Sequence, residues 1–336
     1  MKLHQRDACP LIFRLILALV FLLAMAVGGV WLFGPREPVD LAVRFDPAVI
    51  GSDPDSYLAR TEADIPNLRP DAAKTIVWAY PASRAKTPLA IVYIHGFSAS
   101  REEMRPLPDE VAAKLGANLY FTRLTGHGRN SAAMREASVS DWIGDLAEAV
   151  AIGRQIGERV VVIGSSTGAT LAALGATVPE LENGIDGLVL ISPNFRLLNE
   201  NAYVLDLPFA RNILPWLTDE TYSFTPANAA QAANWTTSYP TVALLPMAAL
   251  ARIAVRARFE SVETPAFFLY SPGDRVVDAA ATEGVVARWG GPTQVLQVPT
   301  SGDPANHTLA GRILSPRTTD ELAGRIADWI AALPAT

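Results

Sequence analysis

A serine flanked by glycines is the first pattern in this sequence that indicates chemistry. The segment "GSSTG", residues 164–168, fits the pattern G-x-S-x-G only when Ser166 is the central serine. An apolar run, "VVVI", precedes it, and small residues, "ATLAALGA", follow it. In a strand–turn–helix elbow of this kind, the central serine adopts a strained conformation that projects its hydroxyl above the sheet edge. We predict that Ser166 is a nucleophile and that Ser165 has only a structural role in the turn.

A serine nucleophile needs a general base, and the sequence has only four histidines to supply one. His4 precedes a long apolar segment and is excluded. His95 and His127 lie in glycine-containing loops, where we expect structural roles. His307 lies between the last predicted strand and the last predicted helix. The chain order nucleophile, acid, histidine that accompanies such elbows selects His307 as the base.

The acid that orients the base should follow a strand between these two residues. Asp274 comes shortly after the apolar run "AFFLYS". Asp278 and Asp303 are the alternatives, but we expect the first in a helical turn, and the second follows no strand. We therefore predict that Asp274 fixes the tautomer of His307 and stabilises its charged form.

Two backbone N–H groups are predicted to stabilise the oxyanion that forms during acyl transfer. Thr167 follows the nucleophile and opens a helix, so its N–H lies at the positive end of the helix dipole. The second donor should come from the loop after "AIVYIHG", where Phe97 is the next residue. The side chain of Phe97 has no part in that role.

Seven apolar and β-branched runs are predicted to be the strands that position these residues. Several are continuous rather than alternating, which is typical of strands buried on both faces of a parallel sheet. Helical patterns lie between them, so we predict an α/β fold with helices on both faces. The runs are "TIVWAY" (75–80), "LAIVYIHG" (89–96), "ANLYFTRL" (117–124), "RVVVIG" (159–164), "GLVLIS" (187–192), "AFFLYS" (266–271) and "TQVLQV" (293–298).

One stretch, residues 194–260, interrupts this alternation with interspersed aromatic residues and prolines. We predict an inserted, partly helical cap, because long insertions in compact domains are more often functional than idle. The alternative is a structural excursion that packs its own aromatic side chains.

The N-terminal region contains an apolar segment, residues 11–33, whose only charge is Arg14. Such a helix comes close to spanning a hydrocarbon core of about 30 Å. Basic residues precede it, so residues 1–10 are expected in the cytoplasm and the catalytic domain on the extracytoplasmic, periplasmic side. A cleaved signal peptide is the alternative, because "AMA" (24–26) resembles a cleavage site. The apolar run continues past that site, which favours an uncleaved anchor. Residues 34–69 are predicted to be a linker and N-terminal extension.

Composition excludes several classes of function. A net charge of −6 with 18% charged residues provides no basic surface for nucleic acid. The single cysteine, Cys9, excludes an intramolecular disulfide and any multi-cysteine metal site. We expect no cofactor and no metal, and the sequence leaves the oligomeric state open.

Several motifs, taken in order, resemble those of the α/β-hydrolase superfamily. The similarity covers about residues 70–333 and is greatest to the serine-aminopeptidase-like branch, which includes monoglyceride lipases, lysophospholipases and bacterial carboxylesterases. It implies a mostly parallel eight-stranded sheet, a Ser166–Asp274–His307 triad and a variable cap after the sixth strand. The motifs are "YIHGFSAS", "LTGHGRNS", "DWIGDLAEAV", "VVVIGSSTGATLAAL", "SPGDRVVD" and "NHT".

Departures from the superfamily's other branches narrow the expected reaction. Epoxide hydrolases and dehalogenases of this fold have an aspartate where this chain has Ser166. Proline iminopeptidases have a tryptophan in the elbow that "GSSTG" lacks. We therefore expect a serine hydrolase that cleaves acyl-lipid or small acyl esters through an acyl-enzyme. A thioesterase or acyltransferase on the same triad is the alternative, and a peptidase or non-catalytic binding module is a more distant one.

Overall fold

The central element of the structure, a computed structural model that describes residues 8–334, is one seven-stranded sheet. Its strand order is β1-β3-β2-β4-β5-β8-β9, and every neighbouring pair is parallel except β1 with β3. A separate pair, β6 and β7, is antiparallel. The strands are β1 Thr75–Val77, β2 Thr87–Ile94, β3 Asn118–Phe121, β4 Gly157–Ser165, β5 Gly187–Ile191, β6 Thr221–Ser223, β7 Ser238–Pro240, β8 Ala266–Tyr270 and β9 Thr293–Gln297.

Helices cover both faces of this sheet, which confirms the predicted fold class. Helices α4, α5 and α9 contribute to the hydrophobic core on one face, and α3 and α11 to the core on the other. The helices are α1 Ala8–Phe33, α2 Pro54–Ala63, α3 Leu107–Leu115, α4 Val139–Ile156, α5 Thr167–Gly175, α6 Pro179–Glu182, α7 Ala210–Leu217, α8 Ala229–Asn234, α9 Leu244–Ala254, α10 Ala279–Val286 and α11 Pro316–Ala331.

Strand β2 shows why the apolar runs are continuous. Val92 and Ile94 join the core on one face, whereas Ile91 and Tyr93 join the core on the other. Successive side chains of a strand point to opposite faces, so a strand between two helical layers needs apolar residues at every position.

The number of strands corrects one expectation. All seven predicted apolar runs contain strands of the main sheet, but the eighth strand implied by the family resemblance is absent from residues 8–334. The segment before β1 instead forms short helical turns that begin at Pro47, Pro54 and Pro70. Proline suits the first turn of a helix because its fixed φ is helical and its missing N–H has no helical partner to lose.

The stretch between residues 194 and 260 divides into two parts. Helix α7, helix α8 and the β6–β7 pair lie outside the main sheet. Helix α9 instead packs on α5, and its Met247, Leu250 and Ala254 are buried in the main core. The segment that lies outside the main core therefore ends before α9. We refer to residues 195–243 as the cap.

The N-terminal helix α1 stands apart from the core. Ile12–Phe33 is long and apolar enough to cross a membrane, with a mean hydropathy of 2.7 and none of its most apolar window buried. A signal sequence has the same properties. Residues 1–7, most of the expected cytoplasmic segment, lie outside the described residues.

The segment that follows α1 contacts the cap directly. The N–H of Phe209 donates to the carbonyl of Pro35 at 2.6 Å, and Arg36 donates to the carbonyl of Asp206 at 3.0 Å. Glu37, whose side chain is only 5% exposed, pairs with Arg211 at 2.5 Å. Residues 34–37 therefore join α1 to the cap, and we call them the brace.

Candidate active site

Ser166 lies in a sharp turn between β4 and α5. Its φ of 51° and ψ of −115° are a strained combination for a residue with a side chain. The flanking glycines permit the close approach of strand and helix that such a turn requires. A Cβ at Gly164 would lie 2.6 Å from Ala169 Cα, and one at Gly168 would lie 2.3 Å from the carbonyl oxygen of Ile94. This is the elbow geometry that the sequence predicts.

The structure brings the three predicted triad residues into one hydrogen-bonded chain. His307 Nε2 is 2.9 Å from Ser166 Oγ, and His307 Nδ1 is 2.7 Å from Asp274 Oδ2. The other carboxylate oxygen of Asp274 accepts the N–H groups of Val276 and Val277 at 2.7 and 2.9 Å. The Asp274 side chain is only 1% exposed, and these three bonds to its carboxylate hold it in one orientation.

The two alternative acids occupy other places. Asp278 is the N-cap of α10 and pairs with Arg196. Asp303 accepts the backbone N–H groups of His307 and Thr308 at 3.1 and 2.8 Å, so it shapes the loop rather than the imidazole. Of these three acids, only Asp274 bonds the ring of His307.

The electrostatic surroundings of His307 favour its protonated form. Burial by itself lowers the pKa of this imidazole, because burial penalises a charge. The hydrogen bond and negative charge of Asp274 outweigh burial, with smaller contributions from Glu103 and Asp303. The net result is a pKa above the ordinary value for histidine.

His95 and His127 are also buried, but neither bonds a carboxylate. The Nε2 of His95 accepts the N–H of Leu124 at 3.1 Å, so its Nδ1 carries the proton and donates to the carbonyl of Gly96 at 2.8 Å. Burial lowers the pKa of His95 to about 4 and that of His127 well below its ordinary value. Both rings are therefore neutral, and their contacts are those of structural side chains.

The two expected oxyanion donors flank the elbow. Thr167 is the first residue of α5, and the N–H groups of a first helical turn have no partner within the helix. Among the described residues, nothing accepts a hydrogen bond from the N–H of Phe97. The Phe97 ring packs edge-on against His127 and Tyr239.

A cavity of about 840 Å³ lies between this site and the cap. Ser166 and His307 line it, so the reactive atoms face this cavity. Its apolar lining includes Phe97, Leu197, Leu205, Leu244 and Met247, and its polar lining includes Asn199, Asn201, Asp219, Thr221 and Ser223. This volume is in the range of small-molecule binding sites.

The structure adds two side chains that the sequence does not single out. Glu103 is buried beside Gly96, and Asn194 is buried against Met247 while its N–H donates to the carbonyl of Ser166 at 3.3 Å. Neither belongs to a recognisable motif. Glu103 lies in the charged stretch "REEMR", which predicts an exposed turn. Within the described part of the chain, no group of three or more His, Cys, Asp or Glu residues is placed to hold a metal ion.

With a serine elbow at the end of a central parallel strand, the fold and site define a protein of the α/β-hydrolase class. The model of the alpha/beta hydrolase family matches residues 91–323. The chain therefore belongs to this family, which confirms the resemblance seen in its motifs.

One relative of this chain is named as a lipase. The chain is 33% identical over 84 residues to a thermostable monoacylglycerol lipase from Bacillus sp. strain H-257. This match spans 25% of the chain and only about a third (33%) of that lipase.

Solved structures show the same fold at lower identity. One, from work on the metagenome-derived lipolytic enzymes LipS and LipT, is 19% identical with a TM-score of 0.64, and the match covers 79% of this chain and 99% of that one. A soluble variant of monoglyceride lipase from Saccharomyces cerevisiae is 12% identical with a TM-score of 0.61, over 79% of this chain and 92% of that one.

Proposed function

We propose that this protein is a serine hydrolase that cleaves carboxylic esters through an acyl-enzyme on Ser166. The observation that carries the proposal is the unbroken chain from Ser166 Oγ through His307 to Asp274, opening into the cavity under the cap. A serine hydroxyl is a weak nucleophile unless an adjacent base takes its proton, and this geometry provides that base.

In the proposed reaction, His307 Nε2 takes the proton of Ser166 while Oγ attacks the ester carbonyl carbon. The N–H groups of Phe97 and Thr167 stabilise the negative oxygen of the tetrahedral intermediate. His307 then protonates the leaving alcohol as the C–O bond breaks, which leaves an acyl group on Ser166. A water molecule, deprotonated by His307, attacks that acyl group and regenerates the free hydroxyl. Asp274 stabilises the imidazolium in both halves of the reaction.

The proposed substrates are acyl lipids with one chain and a polar head, such as monoacylglycerols. The mixed lining of the cavity supports this class, because apolar side chains suit an acyl chain and hydroxyl and amide groups suit a hydroxylated head. The lipase relative from Bacillus acts on esters of this kind by name.

We also propose that residues 11–33 anchor the protein in a membrane, with the hydrolase domain on the extracytoplasmic side. The exposed apolar surface of α1 and the basic residues before it support this topology.

The nucleophile is tested by comparing the two adjacent serines of the elbow. Ser166→Ala removes the hydroxyl that lies 2.9 Å from His307 Nε2, so it should abolish labelling by a fluorophosphonate probe and lower ester hydrolysis at least about 10³-fold. Ser165→Ala is the matched control. It should keep most of the probe labelling and most of the ester hydrolysis, because the Ser165 side chain is buried.

Hydrolysis of a long-chain monoacylglycerol and of a p-nitrophenyl ester by the same variants tests the reaction. Equal labelling of wild type and Ser166→Ala would refute the nucleophile assignment, and hydrolysis of neither ester would refute the substrate class.

A further inference from the structure

A buried carboxylate, Glu103, lies under the candidate oxyanion loop and pairs with no lysine or arginine among residues 8–334. Glu103 ends a short helical turn, Arg101–Glu103, and is only 4% exposed. The neighbouring Arg101 and Arg105 pair with Glu102 instead. Burying a carboxylate is costly unless hydrogen bonds compensate for the lost hydration, so Glu103 needs hydrogen-bond donors around it.

Those donors come from the segments that carry the site. Glu103 Oε2 accepts the N–H of Gly96 at 2.8 Å and the hydroxyl of Tyr93 at 2.9 Å. The hydroxyl of Ser165, next to the nucleophile, also interacts favourably with this carboxylate. Burial raises the pKa of Glu103, and these hydrogen bonds oppose that effect, because in each of them the carboxylate accepts, as its ionised form does.

Glu103 also adjoins the nucleophile and the loop of the base. A Cβ at Gly96 would lie 2.7 Å from Glu103 Oε1 and 3.2 Å from the Cβ of Ser166. A Cβ at Gly311, shortly after His307, would lie 2.3 Å from the Glu103 carbonyl oxygen. Side chains at either glycine would collide with Glu103, so the three segments of the site meet around this one residue.

The contacts at Gly96 determine where the Phe97 N–H points. Glu103 holds the N–H of Gly96, and His95 Nδ1 donates to its carbonyl. The carbonyl of Gly96 and the N–H of Phe97 belong to one planar trans peptide and point in opposite directions. Fixing both groups of Gly96 therefore fixes the direction of the proposed oxyanion donor.

We infer that Glu103 is a positioning residue for ester hydrolysis: it holds the oxyanion loop in place and adds a second buried negative charge that stabilises the protonated His307. This inference rests on the proposed function of Ser166 and His307. The titratable groups that face His307 are Asp274, Glu103 and Asp303, and those that face Glu103 are Tyr93 and His307. Glu103 is thus the one carboxylate near His307 that reaches the oxyanion loop as well.

Two substitutions in the full-length protein separate the two roles. Glu103→Gln keeps the shape and removes the charge, and its amide cannot accept from all the same donors. Its kcat should fall about tenfold to a hundredfold, with KM within about twofold, because only transition-state interactions are disturbed. The acidic limb of its profile of kcat/KM against pH should move to lower pH, because His307 loses a neighbouring negative charge.

Glu103→Asp keeps the charge and shortens the reach to Gly96. Its kcat should also fall, but its acidic limb should remain within about 0.2 pH units of the wild-type position, because the negative charge near His307 is kept. Glu102→Gln is the matched control, because it removes the same charge one residue away, where the carboxylate pairs with Arg105 and Arg312. It should leave both kcat and the acidic limb unchanged.

The inference is overturned if Glu103→Gln keeps the wild-type kcat and acidic limb, or if it only lowers the melting temperature. If Glu103→Gln does not fold, Glu103→Asp decides the loop role, and a wild-type kcat in that variant overturns it. Retained fluorophosphonate labelling of Ser166→Ala would instead refute the proposed function, so the two failures are distinguishable.

Discussion

Two buried histidines and the half-buried His307 surround the candidate site, and the partner of each ring sets its proton affinity. His307 faces a carboxylate through Nδ1, whereas the rings of His95 and His127 bond only backbone groups. Burial lowers the pKa of the latter two, and the carboxylate raises that of the first. Of these three histidines, only His307 can change charge near neutral pH, and this property suits a general base.

The raised pKa of His307 predicts the direction of the pH dependence. His307 must be neutral to take the proton of Ser166, so activity is present above its pKa and is lost as pH falls through it. Because the pKa of His307 is raised, the acidic limb of kcat/KM should lie above the ordinary value of about 6.5. Initial rates with a p-nitrophenyl ester from pH 5 to 9 measure it.

Substitution of the acid provides the control for this profile. Asp274→Asn should lower kcat by about 10⁴-fold, because the neutral amide neither fixes the tautomer of His307 nor stabilises its charge. Asp303→Asn, which alters the loop but not the ring contact, should have a much smaller effect. A flat profile across this range in the wild type would contradict the assignment of His307 as base.

At the scale of elements, the elbow depends on the close approach of α5 to the ends of β2 and β4. The close contacts are made by glycines, and the apolar run and small residues around them let the sequence predict this turn. With larger side chains at Gly164 and Gly168, the helix could not begin directly above the sheet edge.

This close approach predicts a sharp difference between two glycines. Gly168→Ala would place a methyl group 2.3 Å from the Ile94 carbonyl, so we expect displacement of the elbow, loss of most activity and destabilisation by about 1–3 kcal/mol. Gly144→Ala in α4 meets nothing within 4 Å and should stabilise the protein by about 0.5–1 kcal/mol. Urea unfolding and ester hydrolysis measure both, and a Gly168→Ala variant as stable and active as wild type would contradict the geometry.

The elements that the sequence predicts well are those with local signals. The five inner strands of the sheet are buried, largely apolar runs, and the partly exposed edge strands β1 and β9 are apolar or β-branched runs as well, so all seven were predictable. The eighth strand came only from the family resemblance. The triad was predictable because strand ends meet at one sheet edge. Glu103 was not, since its burial depends on Gly96, Ser165 and Gly311, which are brought together only by the fold. Nor did the aromatic composition of residues 194–260 reveal that α9 packs on α5 as part of the main core.

At the scale of the whole molecule, the brace connects the apolar N-terminal helix to the cap that covers the cavity. Glu37 and Arg211 are far apart in the sequence, yet the Glu37 side chain is nearly buried against the cap. Arg252, at the end of α9, also donates to the Glu37 carbonyl at 3.3 Å. The cap is therefore held at its outer end by residues that precede the hydrolase domain.

Removing the ion pair between Glu37 and Arg211 should loosen the cap without disturbing the candidate active site. Glu37→Ala leaves Arg211 unpaired and costs about 1 kcal/mol locally, which should speed thermolysin cleavage within residues 195–243 about fivefold. Asp40→Ala is the control, because Asp40 pairs with Arg44 and does not contact the cap. Equal cleavage of both variants in detergent-solubilised protein would show that the brace does not restrain the cap.

The position of the brace bears on how this protein could be released from a membrane. Its contacts with the cap begin at Gly34, where an added Cβ would lie 2.6 Å from the Cβ of Pro208, well beyond the small-residue site at Ala24–Ala26. A signal peptidase that cut there would remove most of α1 and leave every cap contact of residues 34–37 intact. A secreted form and a tethered form would then share one catalytic centre under an equally secured cap, and processing would change only where the reaction takes place. A recombinant soluble form should accordingly begin at Gly34 or earlier, because one that begins at Asp40 discards the brace along with the helix.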